Sequence, residues 1–143
     1  MSALGKFFKL NSGDRWLLVR AFVAVASAWV KVRLLPPSVI LRRVSASIAL
    51  LPSHQPQTAE RIAWAITVAA SYVPGCKCLE QAIAGRQLLA RYGIAGTIHI
   101  GVAKDSRNWL SAHAWVEAEG QTVIGGDNTM YAPLIGASQG YRS

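Results

Sequence analysis

Cys78-Leu79-Glu80-Gln81-Ala82-Ile83 is the stretch on which the reading turns, together with two later ones. These are Ser111-Ala112-His113-Ala114-Trp115-Val116-Glu117 and Thr122-Val123-Ile124-Gly125-Gly126-Asp127. The first opens an apolar-periodic segment that runs to Gly93, a residue suited to closing a helix. The other two read as strands. A thiol at a helix start, an imidazole on one strand and a carboxylate ending the next are the groups that covalent acyl chemistry requires. The thiolate attacks a carbonyl, the imidazole carries the proton, and the carboxylate orients the imidazole. The expected catalytic set is Cys78, His113 and Asp127.

Position supports this choice. A thiol in the first turn of a helix lies near unsatisfied N–H groups and the positive end of the dipole. Both favour the thiolate, and the same N–H groups can bind an oxyanion. Strand period two puts His113 on one face with Ser111, Trp115 and Glu117. Ala112, Ala114, Val116 and Ala118 form the other face, suited to packing on a helix or a second sheet. With Glu119-Gly120 as the turn, His113 stands opposite about position 126, beside Asp127. Each residue alone has an ordinary structural reading: inert packing for a buried Cys, a turn former for an Asp after glycines. Their order on helix, strand and strand is what points to catalysis. The competitors are Cys76, which precedes the helix and lacks the dipole advantage, and His99, for which only Asp105 offers an acid. Glu117 either orients His113 or stands in solvent, and His54 lies in a linker.

The rest of the chain supplies a scaffold. Asp14 can cap a helix that runs to about Leu35, where Pro36-Pro37 stops it. Ser38 can cap a second helix, with Ile40, Val44 and Ile48 on one face. Pro52 to Gln57 reads as a linker. Thr58 caps a third helix, whose stripe is Ile62, Ala65, Ile66, Ala69 and Val73, and Pro74-Gly75 ends it. Leu79, Ala82, Ile83, Arg86, Leu89 and Ala90 share a face of the fourth helix, and Gly85 in its middle implies close approach by a neighbour. Thr97 to Val102 has the alternation of a half-covered strand. The expected architecture is α+β, a helical front half packed on a Cys-bearing helix and an antiparallel meander. One domain over 1–143 is expected, with a basic helical front over 1–51 and the catalytic core over 58–143.

Composition narrows the class. At 143 residues and 52% hydrophobic, the chain has room for one ordinary core and is not disordered. Its two cysteines, Cys76 and Cys78, are too close for a comfortable disulfide. No metal-ligand spacing is visible, so neither structural zinc nor another cofactor is expected. Free thiols suit a reducing compartment, hence the cytoplasm. The net charge of +8 is concentrated in the first third, where Lys6, Lys9, Arg15, Arg20, Lys31, Arg33, Arg42 and Arg43 face a single acid, Asp14. That favours acidic partners, although no nucleic-acid-binding pattern accompanies it. The apolar run from Ala21 to Val30 is too short to span a bilayer. Asp14, Arg15 and Arg20 make it a poor signal peptide, which leaves peripheral membrane contact as a reading of the front helices.

Cys78 to Ala82, Leu88 to Ile94, Ile98 to Val102 and Ala112 to Glu117 together resemble the leader peptidases of lasso-peptide biosynthesis. The resemblance covers roughly residues 60 to 130 and looks like the stand-alone form of that protease. It implies a transglutaminase-like fold related to papain-like cysteine proteases, with nucleophile Cys78, base Cys78's partner His113, and acid Asp127. It implies a precursor peptide as substrate, a separate leader-recognition protein as partner, and an ATP-dependent cyclase acting next. The same triad also serves acyltransferases of the transglutaminase type. A non-catalytic interaction module built on the fold is the remaining alternative.

Overall fold

Asn11, not Asp14, caps the first helix. A computed structural model describes residues 5, 8–46, 50, 58–104, 106–126 and 132–135. Ile48, His54, Asp105 and Asp127 lie outside the described residues. The Asn11 side chain accepts from the Asp14 N–H at 2.7 Å, so α1 begins earlier than expected and spans Ser12–Leu34. Asp14 then sits in the first turn, where a carboxylate suits the dipole, and pairs with Arg61. α2 (Pro37–Ser45) starts on Pro36 rather than Ser38, because a proline at the first helical position is already set to helical φ and has no N–H to lose. Ile40 and Val44 are its buried residues. α3 (Ala59–Ser71) is capped by Thr58 as expected and buries Ile62, Ala65, Ile66 and Ala69. It stops before Val73, which is only partly buried beyond the helix end. α4 (Cys78–Arg91) begins on the thiol.

α1 is part of the core, not an appendage. Leu17, Ala21, Val25 and Ala28 are fully buried on one face of the helix, which packs against α3 and α4. Their spacing of three to four residues is that of one helical stripe. Arg86 ties α2 to α4. Its buried guanidinium donates to the carbonyls of Arg43, Val44 and Ala46 at 2.7, 2.7 and 3.1 Å. These include carbonyls of the last turn of α2, where the intrahelical ladder runs out of N–H donors; the Arg43 carbonyl also accepts from the Ala46 N–H at 3.3 Å. Burial lowers the Arg86 pKa. Among the described residues no helix is long and apolar enough to cross a membrane.

The sheet is antiparallel with the order β3-β2-β1-β4, formed by β1 (Gly96–Lys104), β2 (Leu110–Ala118), β3 (Gln121–Ile124) and β4 (Ala132–Ile135). Three of these strands match the sequence reading. β4 was not foreseen: it is four residues long and contains Pro133, so it carries little strand signal and sits at an edge. The β2–β3 turn is Glu119-Gly120, with φ of 55° and 78°, the positive pair of a tight hairpin turn. Pairing runs Ala118↔Gln121 and Glu117↔Thr122, then shifts by one residue to Val116↔Ile124. That bulge delivers Ile124 onto α4, where a side chain at Gly85 would collide with it. Gly85 is the close approach that its place in the helix implies.

The sheet face bearing Ile98, Ala114, Val116 and Ala118 is buried against the helices. The other face is not simply solvent-facing, since His99 and Trp115 are also buried. A half-covered strand is therefore too simple a description of β1.

Candidate active site

Cys78 begins α4 immediately after the turn Pro74–Lys77, and the far end of α1 holds that turn. Trp29 Nε1 donates to the Pro74 carbonyl at 2.8 Å. Arg33 Nη2 donates to the Gly75 carbonyl at 3.3 Å. Its Nη1 reaches the Trp29 carbonyl and Glu80 Oε1, each at 3.3 Å. The guanidinium also stacks over the Trp29 ring, 4.0 Å from its centroid. Glu80, buried, uses its other oxygen to accept the Lys77 N–H at 3.1 Å. One side chain thus caps the helix that starts on Cys78 and anchors it to a helix more than forty residues earlier.

No local sequence pattern could show this clamp, because its pieces meet only in three dimensions. Arg33→Ala is expected to leave the Glu80 carboxylate buried without its cation. Arg33 is partly exposed, so the stability loss should be about 1–2 kcal/mol. Arg33→Lys should not rescue it, since a lysine cannot fork to two carbonyls and a carboxylate. Urea unfolding checks the stability, and wild-type stability in Arg33→Ala would show that the clamp holds nothing.

His113 lies on β2, half-buried, with Nε2 2.6 Å from the Gly125 carbonyl oxygen. A carbonyl can only accept, so Nε2 carries the proton and the neutral ring keeps its lone pair on Nδ1. Gly125 is required there for two reasons. Its φ is 106°, and a Cβ would stand 2.6 Å from Trp115 Cβ and 2.9 Å from Trp115 Cα. The sequence reading assigned no role to either glycine of the Gly125-Gly126 pair.

Cys78 and His113 line one cavity of about 310 Å³ with Thr67, Gln81, Ile124, Gly125 and Gly126. The structure brings these two expected residues together, and Asp127 lies outside the described residues. Gln81, one turn after Cys78, is an addition: it lines the cavity, and its side chain is of a type that carries both donors and an acceptor. A polar residue at i+3 from the thiol is visible in the sequence, but its place in the cavity wall is not. Cys76 is not among the lining residues. Burial, then the charge of Glu80, pushes its thiol pKa up against the opposing pull of Arg33.

Glu117 and His99 need correction. Sequence spacing leaves His99 without an acid except through Asp105, and puts Glu117 beside His113 or in solvent. In the structure Glu117 Oε2 lies 3.3 Å from Nε2 of the buried His99. The distance suits an ion pair when the ring is protonated, whereas the alignment is not that of a hydrogen bond. The contact is diagonal: His99 pairs with Trp115, and Glu117 is the next residue on the same face. Trp115 stacks on both histidines, with centroids 5.6 Å from His99 and 6.0 Å from His113. The face read as His113, Trp115 and Glu117 is thus a ring stack that fixes the plane of the His113 imidazole.

A helix-start thiol and a sheet imidazole meeting at one cavity mark a fold of the cysteine-protease and transglutaminase type. The model of the transglutaminase-like superfamily matches residues 21–136, and the chain belongs to that superfamily. The matched region starts within α1, in keeping with the burial of that helix. Members of the superfamily are usually enzymes of the cysteine-protease or acyltransferase type. No curated protein and no solved structure matches the chain.

Proposed function

We propose that the protein is a cysteine peptidase that removes the leader from a ribosomally synthesised lasso-peptide precursor. The observation that carries the peptidase reading is the cavity shared by Cys78 and His113, with the imidazole held through Nε2 by Gly125. The narrower assignment is supported by the resemblance of Cys78–Ala82, Leu88–Ile94, Ile98–Val102 and Ala112–Glu117 to lasso leader peptidases.

The chemistry follows from the residues. His113 takes the thiol proton at Nδ1, and Cys78 Sγ attacks the scissile carbonyl carbon. The N–H groups of the first turn of α4 are available to the oxyanion, and Gln81 can add a donor. The Lys77 N–H is already committed to Glu80. Collapse of the tetrahedral species breaks the C–N bond. The imidazolium gives its proton to the leaving amine, which becomes the new N-terminus of the core peptide. Water, deprotonated by His113, then hydrolyses the thioester and frees the leader as an acid. Asp127, next in the chain after cavity-lining Gly126, is the proposed acidic member of the triad. No cofactor takes part in this route.

The released amine is the group that a separate ATP-dependent cyclase joins to an Asp or Glu side chain of the core. Such work belongs in the cytoplasm, where the precursor is made. A flexible leader loses conformational freedom on binding, and a chain this small has little surface to offset that cost. A separate leader-recognition protein holding both would raise the local precursor concentration to about millimolar. Cleavage of the precursor by the chain alone should therefore be slow, and addition of the recognition protein should accelerate it most at low precursor. Mass spectrometry of the products checks this. No cleavage with the recognition protein present, or transfer of the leader acyl group to an added amine instead of water, would overturn the reading.

A further inference from the structure

We propose that the exposed face of α1 docks the protein on an anionic lipid bilayer. The helix is apolar on both sides. One side, Leu17, Ala21, Val25 and Ala28, is buried in the core. The other carries Trp16, Val19, Val23, Val30 and Leu34, spaced by three, four, seven and four residues and so aligned on one face. Trp16 is 54% exposed, Val23 64% and Leu34 76%, far more than the core requires. A helix that is apolar all round is ordinarily covered on every side. The exposed row runs for about 27 Å along the axis.

Charge says what covers it. Arg15, Arg20 and Lys31 lie on the same helix, whose one acid, Asp14, is paired with Arg61, while Arg33 is committed to Glu80. Arg20 is fixed at the edge of the row: it donates to the Tyr92 hydroxyl at 3.0 Å and stands 5.6 Å from the Trp16 ring centroid. The Val19–Val23 ridge separates two grooves. One, about 690 Å³, lies against α4 and includes Arg20 and Arg91. The other, about 270 Å³, lies against α3 and includes Phe22 and Tyr72. Neither groove has a carboxylate in its lining.

An apolar row with Trp at its end, aromatic neighbours and basic flanks is the arrangement that settles in the headgroup region of an anionic bilayer. A second copy of the chain fits less well, because each copy carries a net charge of +8 and would bring the same arginines face to face.

Co-sedimentation with lipid vesicles tests this. Vesicles of phosphatidylcholine with about one third phosphatidylglycerol should bind the chain at least roughly tenfold more tightly than pure phosphatidylcholine, and high salt should remove most of the difference. Val19→Glu with Val23→Glu should weaken binding to the anionic vesicles at least roughly tenfold, with the thermal melt unchanged because both side chains are exposed. Val30→Glu with Leu34→Glu, at the other end of the row, should do the same. Failure of the wild type to bind anionic vesicles, or equal binding by both charged variants, overturns the proposal. So does a dimer in sedimentation equilibrium that Val19→Glu with Val23→Glu abolishes, which would give the face to a second copy.

Discussion

Cys78→Ala should abolish precursor cleavage, a loss on the order of 10⁴-fold or more, with no change in fold. Cys76→Ala should keep most of the activity. Cys78 is half-buried at the first position of α4 and lines the cavity, so exchanging its thiol for a methyl removes the nucleophile and little packing. Cys76 is half-buried two residues earlier, outside the cavity, and burial beside Glu80 holds its pKa up. The same contrast predicts the alkylation pattern. Iodoacetamide near neutral pH should label Cys78 first, and Cys76 should follow only as pH rises toward its raised pKa. Peptide mapping separates the two sites. An active Cys78→Ala beside a dead Cys76→Ala would move the nucleophile to the other thiol.

The helix carrying Cys78 and the hairpin carrying His113 were legible because their signals are local. An apolar period opens at Cys78, a turn falls at Glu119-Gly120, and an alternating run lies on either side of that turn. The cap of α1 is Asn11, three residues before the expected Asp14. Both suit a helix start, and only the side-chain bond decides. What could not be read is long-range. Arg33 reaches Glu80 and the turn before Cys78 from another helix, and β4 pairs with β1 across most of the sheet's sequence. Sequence spacing leaves Glu117 either on His113 or in solvent and misses His99, because pairing rules fix which residues face each other, not which diagonal neighbour a long side chain chooses.

The second large effect concerns His113. His113→Ala should cost as much as loss of the thiol, since nucleophile and base act as a unit. Its orientation does not rest on one group. The Gly125 carbonyl fixes the proton on Nε2, and the Trp115 ring stacks against the imidazole. In a triad that depends on its carboxylate alone, removing the acid leaves the wrong tautomer and costs about 10⁴-fold. Here Gly125 already selects the tautomer, so Asp127→Asn should be much milder, about 10- to 100-fold. Gly125→Ala should instead be severe. A methyl there meets Trp115 Cβ at 2.6 Å and the Ala114 carbonyl at 3.0 Å, and L-residues avoid a φ of 106°. The carbonyl must then leave its place on Nε2. Single-turnover cleavage rates, with thermal melts to confirm folding, rank the three variants. Full activity in a folded Gly125→Ala would remove the carbonyl as orienter. A loss in Asp127→Asn as deep as that in His113→Ala would make the carboxylate, and not the backbone, what holds the imidazole.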